Sequence, residues 1–236
     1  MKGRHIVAMG GGQWPDDPIH RYLFELTGAA RPKVLSVPTA TGDDDRSVAA
    51  FFRAFPAGRW EPAVLTLFER TERDLRSVVL SHDVVLVGGG NTVNMLAVWR
   101  AHGLDEILRE AWDAGVVLAG GSAGANCWFE ASTTDSFLIG RADPLTDGLG
   151  IVPGSFCPHF DSEPARRPEF HRLVGEGVLP PGIACDDLAA VHLVDGEVVE
   201  VLASDEDAGA RRVAPGERGD VVEEPFEVRL LEAARG

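Results

Sequence analysis

Short apolar runs recur along the first half of the chain, at 6–9, 34–37, 63–67, 84–87 and 116–119, and in the main they lack polar alternation. Runs of that kind belong to parallel strands buried on both faces. Between them apolar residues fall at helical spacing, which predicts helices near 19–26, 46–55, 72–80, 92–101 and 104–114. Asn91 is placed to cap the fourth, along which Val93, Leu96 and Trp99 recur at spacings of three. This alternation of strand and helix predicts a parallel α/β sheet with helices on both faces.

After about residue 145 the texture changes. Short strands are expected at 149–152 and 156–157 around Pro153-Gly154, then a helix over 167–174. A hairpin of 189–194 with 197–202 turns at Asp195-Gly196. Weaker strand signals run through 220–231. No linker rich in Pro, Gly or Ser divides the chain, so these strands are expected to extend the same sheet within a single domain, 1–236.

Charge narrows the function classes. Asp and Glu total 37 against 22 Lys and Arg, a formal net charge of −15. That balance lacks the basic face of a nucleic-acid binder and disfavours an anionic membrane surface. No apolar stretch approaches the roughly 20 residues of a bilayer span, and the first residues do not read as a signal peptide. Cys127, Cys157 and Cys185 are odd in number, far apart and without a C-x-x-C pair, against a disulfide scaffold or a cysteine zinc site. The expected setting is the cytoplasm. The acidic runs Asp16-Asp17 and Asp43-Asp44-Asp45 lack a calcium-loop pattern and read as helix starts, so no metal is expected.

The segment Val116–Trp128 carries G-x-S-x-G at Gly120, Ser122 and Gly124, directly after a buried run and before a short helix. A serine on such a corner adopts strained backbone angles and projects its hydroxyl clear of the sheet. A second glycine turn, Gly88-Gly89-Gly90-Asn91-Thr92, follows the run at 84–87, at the same strand ends where open α/β sheets place ligands. Acyl transfer needs two backbone donors at the developing oxyanion, and the Ala123 and Gly90 N–H groups are the candidates. Nucleotide binding is the weaker reading: no turn continues as G-x-G-x-x-G, and no G-x-x-x-x-G-K-[ST] loop exists.

A nucleophilic serine needs a base and a carboxylate behind it. Of seven histidines, His159 stands out because Phe156–Asp161 ends a short strand where a loop can cross the sheet edge; His171 and His192 fall in a helix and a hairpin strand. Carboxylate candidates are Asp135, Asp143, Asp147, Asp161, Asp186 and Asp187. The last two follow an apolar strand, Gly182–Cys185.

The motifs Gly88–Thr92, Gly120–Ala125 and Cys157-Pro158-His159-Phe160, in this order, resemble the peptidase E (aspartyl dipeptidase) family of serine peptidases, which also includes the cyanophycinases. The resemblance runs over about residues 5–200. It implies a three-layer α/β sandwich like that of class I glutamine amidotransferases (flavodoxin-like), here with additional C-terminal strands. It implies Ser122 as nucleophile, His159 as base, Asp186 or Asp187 as the third member with Asp186 preferred, and Gly90 and Ala123 as the oxyanion hole. Several family members carry Glu at the third position, and the shorter Asp departs from that pattern.

The substrate implied is a dipeptide with N-terminal aspartate, hydrolysed without a cofactor. A bidentate cation would hold its side chain, and Arg166, Arg167 and Arg172 follow the base closely; Glu130 or Asp135 would receive its amine. The expected partners are this small peptide and, at most, a second copy of the chain. Two rival readings remain: a hydrolase of β-aspartyl peptides or esters on the same scaffold, and a ligand-binding protein that kept the scaffold without catalysis.

Overall fold

In the computed structural model, residues 3–12, 17–217 and 219–232 are described. Each apolar run of the first half forms a strand or leads out of one. In order the elements are β1 (His5–Met9), α1 (Pro18–Glu25), β2 (Lys33–Val37), α2 (Asp45–Ala54), β3 (Glu61–Val64), α3 (Leu75–Leu80), β4 (Val84–Val87), α4 (Thr92–His102), α5 (Leu104–Asp113) and β5 (Val117–Gly121). Caps fix several helix starts: the carboxylates of Asp17 and Asp44 accept N–H bonds at α1 and α2, and Asn91 does so at α4. Asp16 lies outside the described residues.

The second half continues with α6 (Ala123–Asn126), β6 (Phe129–Thr134), β7 (Asp143–Leu145), β8 (Val152–Cys157), α7 (Arg166–Gly175), β9 (Gly182–Cys185), β10 (Ala189–Val194), β11 (Glu197–Ala203), β12 (Ala210–Pro215), β13 (Val221–Pro225) and β14 (Val228–Leu230). Here the structure corrects the sequence reading. Only β10, β11 and β14 extend the first sheet, whose order is β14-β11-β10-β1-β5-β4-β2-β3. The others build a separate six-stranded sheet, β13-β12-β9-β8-β6-β7.

The first sheet is buried on both faces, which explains its unalternated sequence. Val7, Val84, Leu86, Val117 and Ala119 meet Leu23 and Phe24 of α1 and Phe51 of α2. Their neighbours Ile6, Ala8, Val85, Val87 and Leu118 meet Met95, Leu96 and Trp99 of α4 and Leu104 and Leu108 of α5. Helix, sheet and helix thus form the three-layer α/β sandwich. The second sheet turns Phe129, Phe156 and Ile183 into the core on the α4–α5 side, while α7 covers Cys157, Ala184 and Val213 on its other face. Among the described residues no helix is long and apolar enough to cross a membrane.

Candidate active site

Three glycine-bearing corners leave the first sheet side by side. Parallel register sets Met9 of β1 opposite Gly121 of β5, and Val87 of β4 opposite Gly120. The turns at Gly10–Gly12, Gly88–Gly90 and Gly120–Ser122 therefore open on one edge. The G-x-S-x-G glycines are demanded by backbone crowding. A Cβ at Gly120 would stand 2.4 Å from the Gly124 carbonyl oxygen, and one at Gly124 2.2 Å from that of Val87. Between them Ser122 sits at φ 55°, ψ −116°, a conformation that L residues rarely adopt and that functional corners retain. Ala123 opens α6, so its N–H is one of the first-turn donors that no intrahelical carbonyl takes.

The second sheet delivers the other groups. Its strands β8 and β9 run parallel, and their C-terminal ends lead into His159 and into Asp186-Asp187. Segment 186–189 then crosses from one sheet to the other, forming a bridge between Asp187 and Gly11, while the Leu188 N–H donates to the Gly11 carbonyl (2.9 Å). His159 Nδ1 lies 2.6 Å from Asp187 Oδ1. With Nδ1–H donated to that carboxylate, Nε2 keeps its lone pair. Asp161 stiffens the arrangement by accepting the Asp187 N–H at 2.8 Å. Gly11 has no room for a side chain: a Cβ there would lie 1.9 Å from Asp187 Oδ1 and 2.7 Å from His159 Nδ1.

Ser122 and His159 line one cavity of about 250 Å³, together with Gly11, Gly12, Asp17, His20 and the strip Gly88-Gly89. A Cβ at Gly89 would stand 3.3 Å from the Ser122 Cβ, so this strip lies directly against the serine. Gly90, the other expected donor, follows at φ 139°, where a Cβ would meet the Ala40 carbonyl oxygen at 2.4 Å. Burial holds His20 below its ordinary pKa and so favours its neutral form.

The structure separates the two aspartates. Adjacent residues in extended chain face opposite ways, and only Asp187 turns to the imidazole. Asp186, preferred on sequence, points into the second sheet, where its carboxylate accepts from Arg211 Nη1 (3.0 Å), Arg211 Nη2 (3.3 Å) and the Gly209 N–H (3.1 Å). Burial raises its pKa, and Arg211 opposes the rise.

The expected substrate residues are not at the cavity. Arg166 is buried and bonds Glu163 and the Thr133 carbonyl, tying α7 to β6. Arg167 makes paired bonds to Glu223, and Arg172 pairs with Glu169 and Glu176 along the outer face of α7. Glu130 accepts from the Gly154 N–H, and Asp135 lies 4.0 Å from Arg166. The arginines are near the base in sequence only. His171 stands against Glu223, and His192 lies mid-strand in β10 beside Tyr22 and His5. Sequence reasoning missed Gly11 and Asp17 as lining residues. The sequence signal for Gly11 is a third glycine turn, Gly10-Gly11-Gly12, directly after the buried run at 6–9.

Comparison with known proteins follows the same lines. The model of peptidase family S51 matches residues 6–201. The uncharacterized peptidase YgaJ of Bacillus subtilis (strain 168) is 42% identical over 234 residues, covering 97% of this chain and 99% of that protein. Peptidase E of Haemophilus influenzae is 33% identical over 87 residues, 37% of this chain and 40% of its own length. A solved peptidase from an acI-B1 actinobacterium shares the fold, with a TM-score of 0.66 at 19% identity, covering 96% of this chain and 95% of that one.

Proposed function

This chain belongs to peptidase family S51, and from that premise we propose that it is a serine peptidase cleaving short peptides through Ser122, His159 and Asp187. The Ser122 hydroxyl attacks the scissile carbonyl while His159 Nε2 takes its proton. Asp187 holds the imidazole by Nδ1–H and stabilises the imidazolium that forms. The N–H groups of Ala123 and Gly90 receive the oxyanion. His159 then gives the proton to the departing amine. Water, deprotonated by the same nitrogen, attacks the acyl-enzyme, and Ser122 is restored.

The observation that carries this reading is the His159–Asp187 pair, whose imidazole shares a cavity with a serine held on a strained corner. The cavity's size favours small substrates, since about 250 Å³ is below the roughly 300–1,000 Å³ of sites for drug-sized ligands. Among the described residues lining the cavity there is no arginine or lysine, and Asp17 adds negative charge. A cytoplasmic setting accords with three buried, free cysteines.

Covalent labelling with a small fluorophosphonate tests the assignment. The adduct is expected on Ser122 and is lost in His159→Ala. An adduct on another residue, or one undiminished in His159→Ala, contradicts it.

A further inference from the structure

A second cavity, of about 220 Å³, adjoins the first. It is lined by Ser36 near the end of β2 and Pro38 just after it, by Thr41, by Ser47, Ala50 and Phe51 of α2, and again by Gly88 and Gly89. The two cavities therefore share a wall made of two glycines. A Cβ at Gly88 would meet nothing within 4 Å, so this part of the shared wall faces open space.

Sheet order gives the second cavity a direction. Across the edge run β1, β5, β4 and β2, carrying in turn Gly11 with His159 beside it, Ser122, Gly88-Gly89, and Ser36 with Pro38. In acyl transfer the base returns its proton to the leaving amine, so the leaving group lies on the His159 side of Ser122. The acyl part then extends the other way, over Gly88-Gly89. We propose that the second cavity is the acyl-side subsite and takes an apolar side chain, a reading that rests on the serine-peptidase mechanism above.

Its chemistry fits that occupant. Phe51, Ala50 and Pro38 supply apolar surface, and no charged side chain is among the described lining residues. The nearby Asp44 is committed to capping α2: its carboxylate accepts from the N–H groups of Arg46 and Ser47 and from the Ser47 hydroxyl. The Ser47 hydroxyl above all holds its pKa down, so it stays charged beside that lining residue and disfavours an acidic side chain.

Dipeptides Xaa-Gly with Xaa Gly, Ala, Leu, Phe, Lys or Asp, beside a Gly-Xaa series, test the proposal by kcat/KM. Leu or Phe is expected to exceed Gly by tenfold or more in the first series, with Asp lowest, as each methylene in an apolar pocket adds discrimination. The Gly-Xaa series should vary less. Ala50→Leu, which fills the cavity from α2, should lower the Leu-to-Gly ratio about tenfold; a second filling variant, Thr41→Leu, guards against a local folding defect, and circular dichroism checks both. A flat Xaa-Gly series, a preference for Lys or Asp, selectivity confined to Gly-Xaa, or an unchanged ratio in both variants overturns the subsite. Turnover that survives Ser122→Ala overturns the underlying mechanism instead, so the two failures are distinguishable.

Discussion

Asp187→Asn and Asp186→Asn form a matched pair, because the two carboxylates are neighbours in sequence and differ only in what they face. Asp187→Asn keeps the size of the group 2.6 Å from His159 Nδ1 but removes its charge and offers an amide that can favour the wrong tautomer. In the best-studied serine peptidase triad the same change lowers kcat about 10⁴-fold, equivalent to roughly 5 kcal/mol of barrier. A loss of about 10³–10⁴ is expected here, with little change in stability because Asp187 is one-third exposed. Asp186→Asn should do the reverse. It takes a charge from a residue 2% exposed whose carboxylate accepts three hydrogen bonds. Burial raises the Asp186 pKa even against Arg211, which is a quarter exposed and keeps Glu223 at 3.7 Å, so the cost falls well below the roughly 3–5 kcal/mol of a fully uncompensated charge. Urea midpoints and kcat/KM on a cleaved dipeptide, measured for both variants, decide the matter. Turnover within tenfold of wild type for Asp187→Asn, or a 10³-fold loss for a fully folded Asp186→Asn, refutes the reasoning.

Three further outcomes follow from local geometry. Gly11→Ala puts a Cβ 1.9 Å from Asp187 Oδ1 and should cost at least about 100-fold in kcat/KM by displacing the pair, with the far-ultraviolet circular dichroism unchanged. Ser122→Gly removes a non-glycine residue from φ 55° and should raise stability by about 1 kcal/mol in urea while abolishing turnover. His192 is held at a pKa of about 4, chiefly by burial and then by His5. Its folded value lies below the unfolded one near 6.5, so stability present above that pH is lost as pH falls toward 4, by up to about 3 kcal/mol, and His192→Gln should flatten the urea midpoint over that interval.

What the sequence disclosed and what it withheld divide along a physical line. Parallel strands buried on both faces announce themselves as apolar runs, and the glycines of the Ser122 corner are fixed by backbone crowding that only glycine tolerates. These features are local. The second sheet was not legible because its members are scattered: β6 carries Ser132, Thr133 and Thr134 in its buried run, and β12 reads as Ala-Arg-Arg-Val-Ala-Pro. With that sheet hidden, the choice between Asp186 and Asp187 rested on nothing in the residues themselves. Which of them faces His159 is set by the crossing of segment 186–189 from β9 to β10 at Gly11, a contact between positions some 176 residues apart. The placement of the α7 arginines away from the cavity was illegible for a related reason. Nearness to His159 in sequence said nothing of which way the helix turns: Arg166 and Arg167 are drawn to Thr133 and Glu223, far along the chain, and Arg172 pairs along the helix with Glu169 and Glu176.

The central claim, that Ser122 is the nucleophile of a peptide hydrolysis, is tested most directly by the turnover of Ser122→Ala on a short peptide cleaved by the parent chain. The mechanism predicts a fall in kcat of about 10⁵–10⁶, leaving only the residual rate that binding and the oxyanion donors supply. Hydrolysis at the wild-type rate by the folded variant would contradict it.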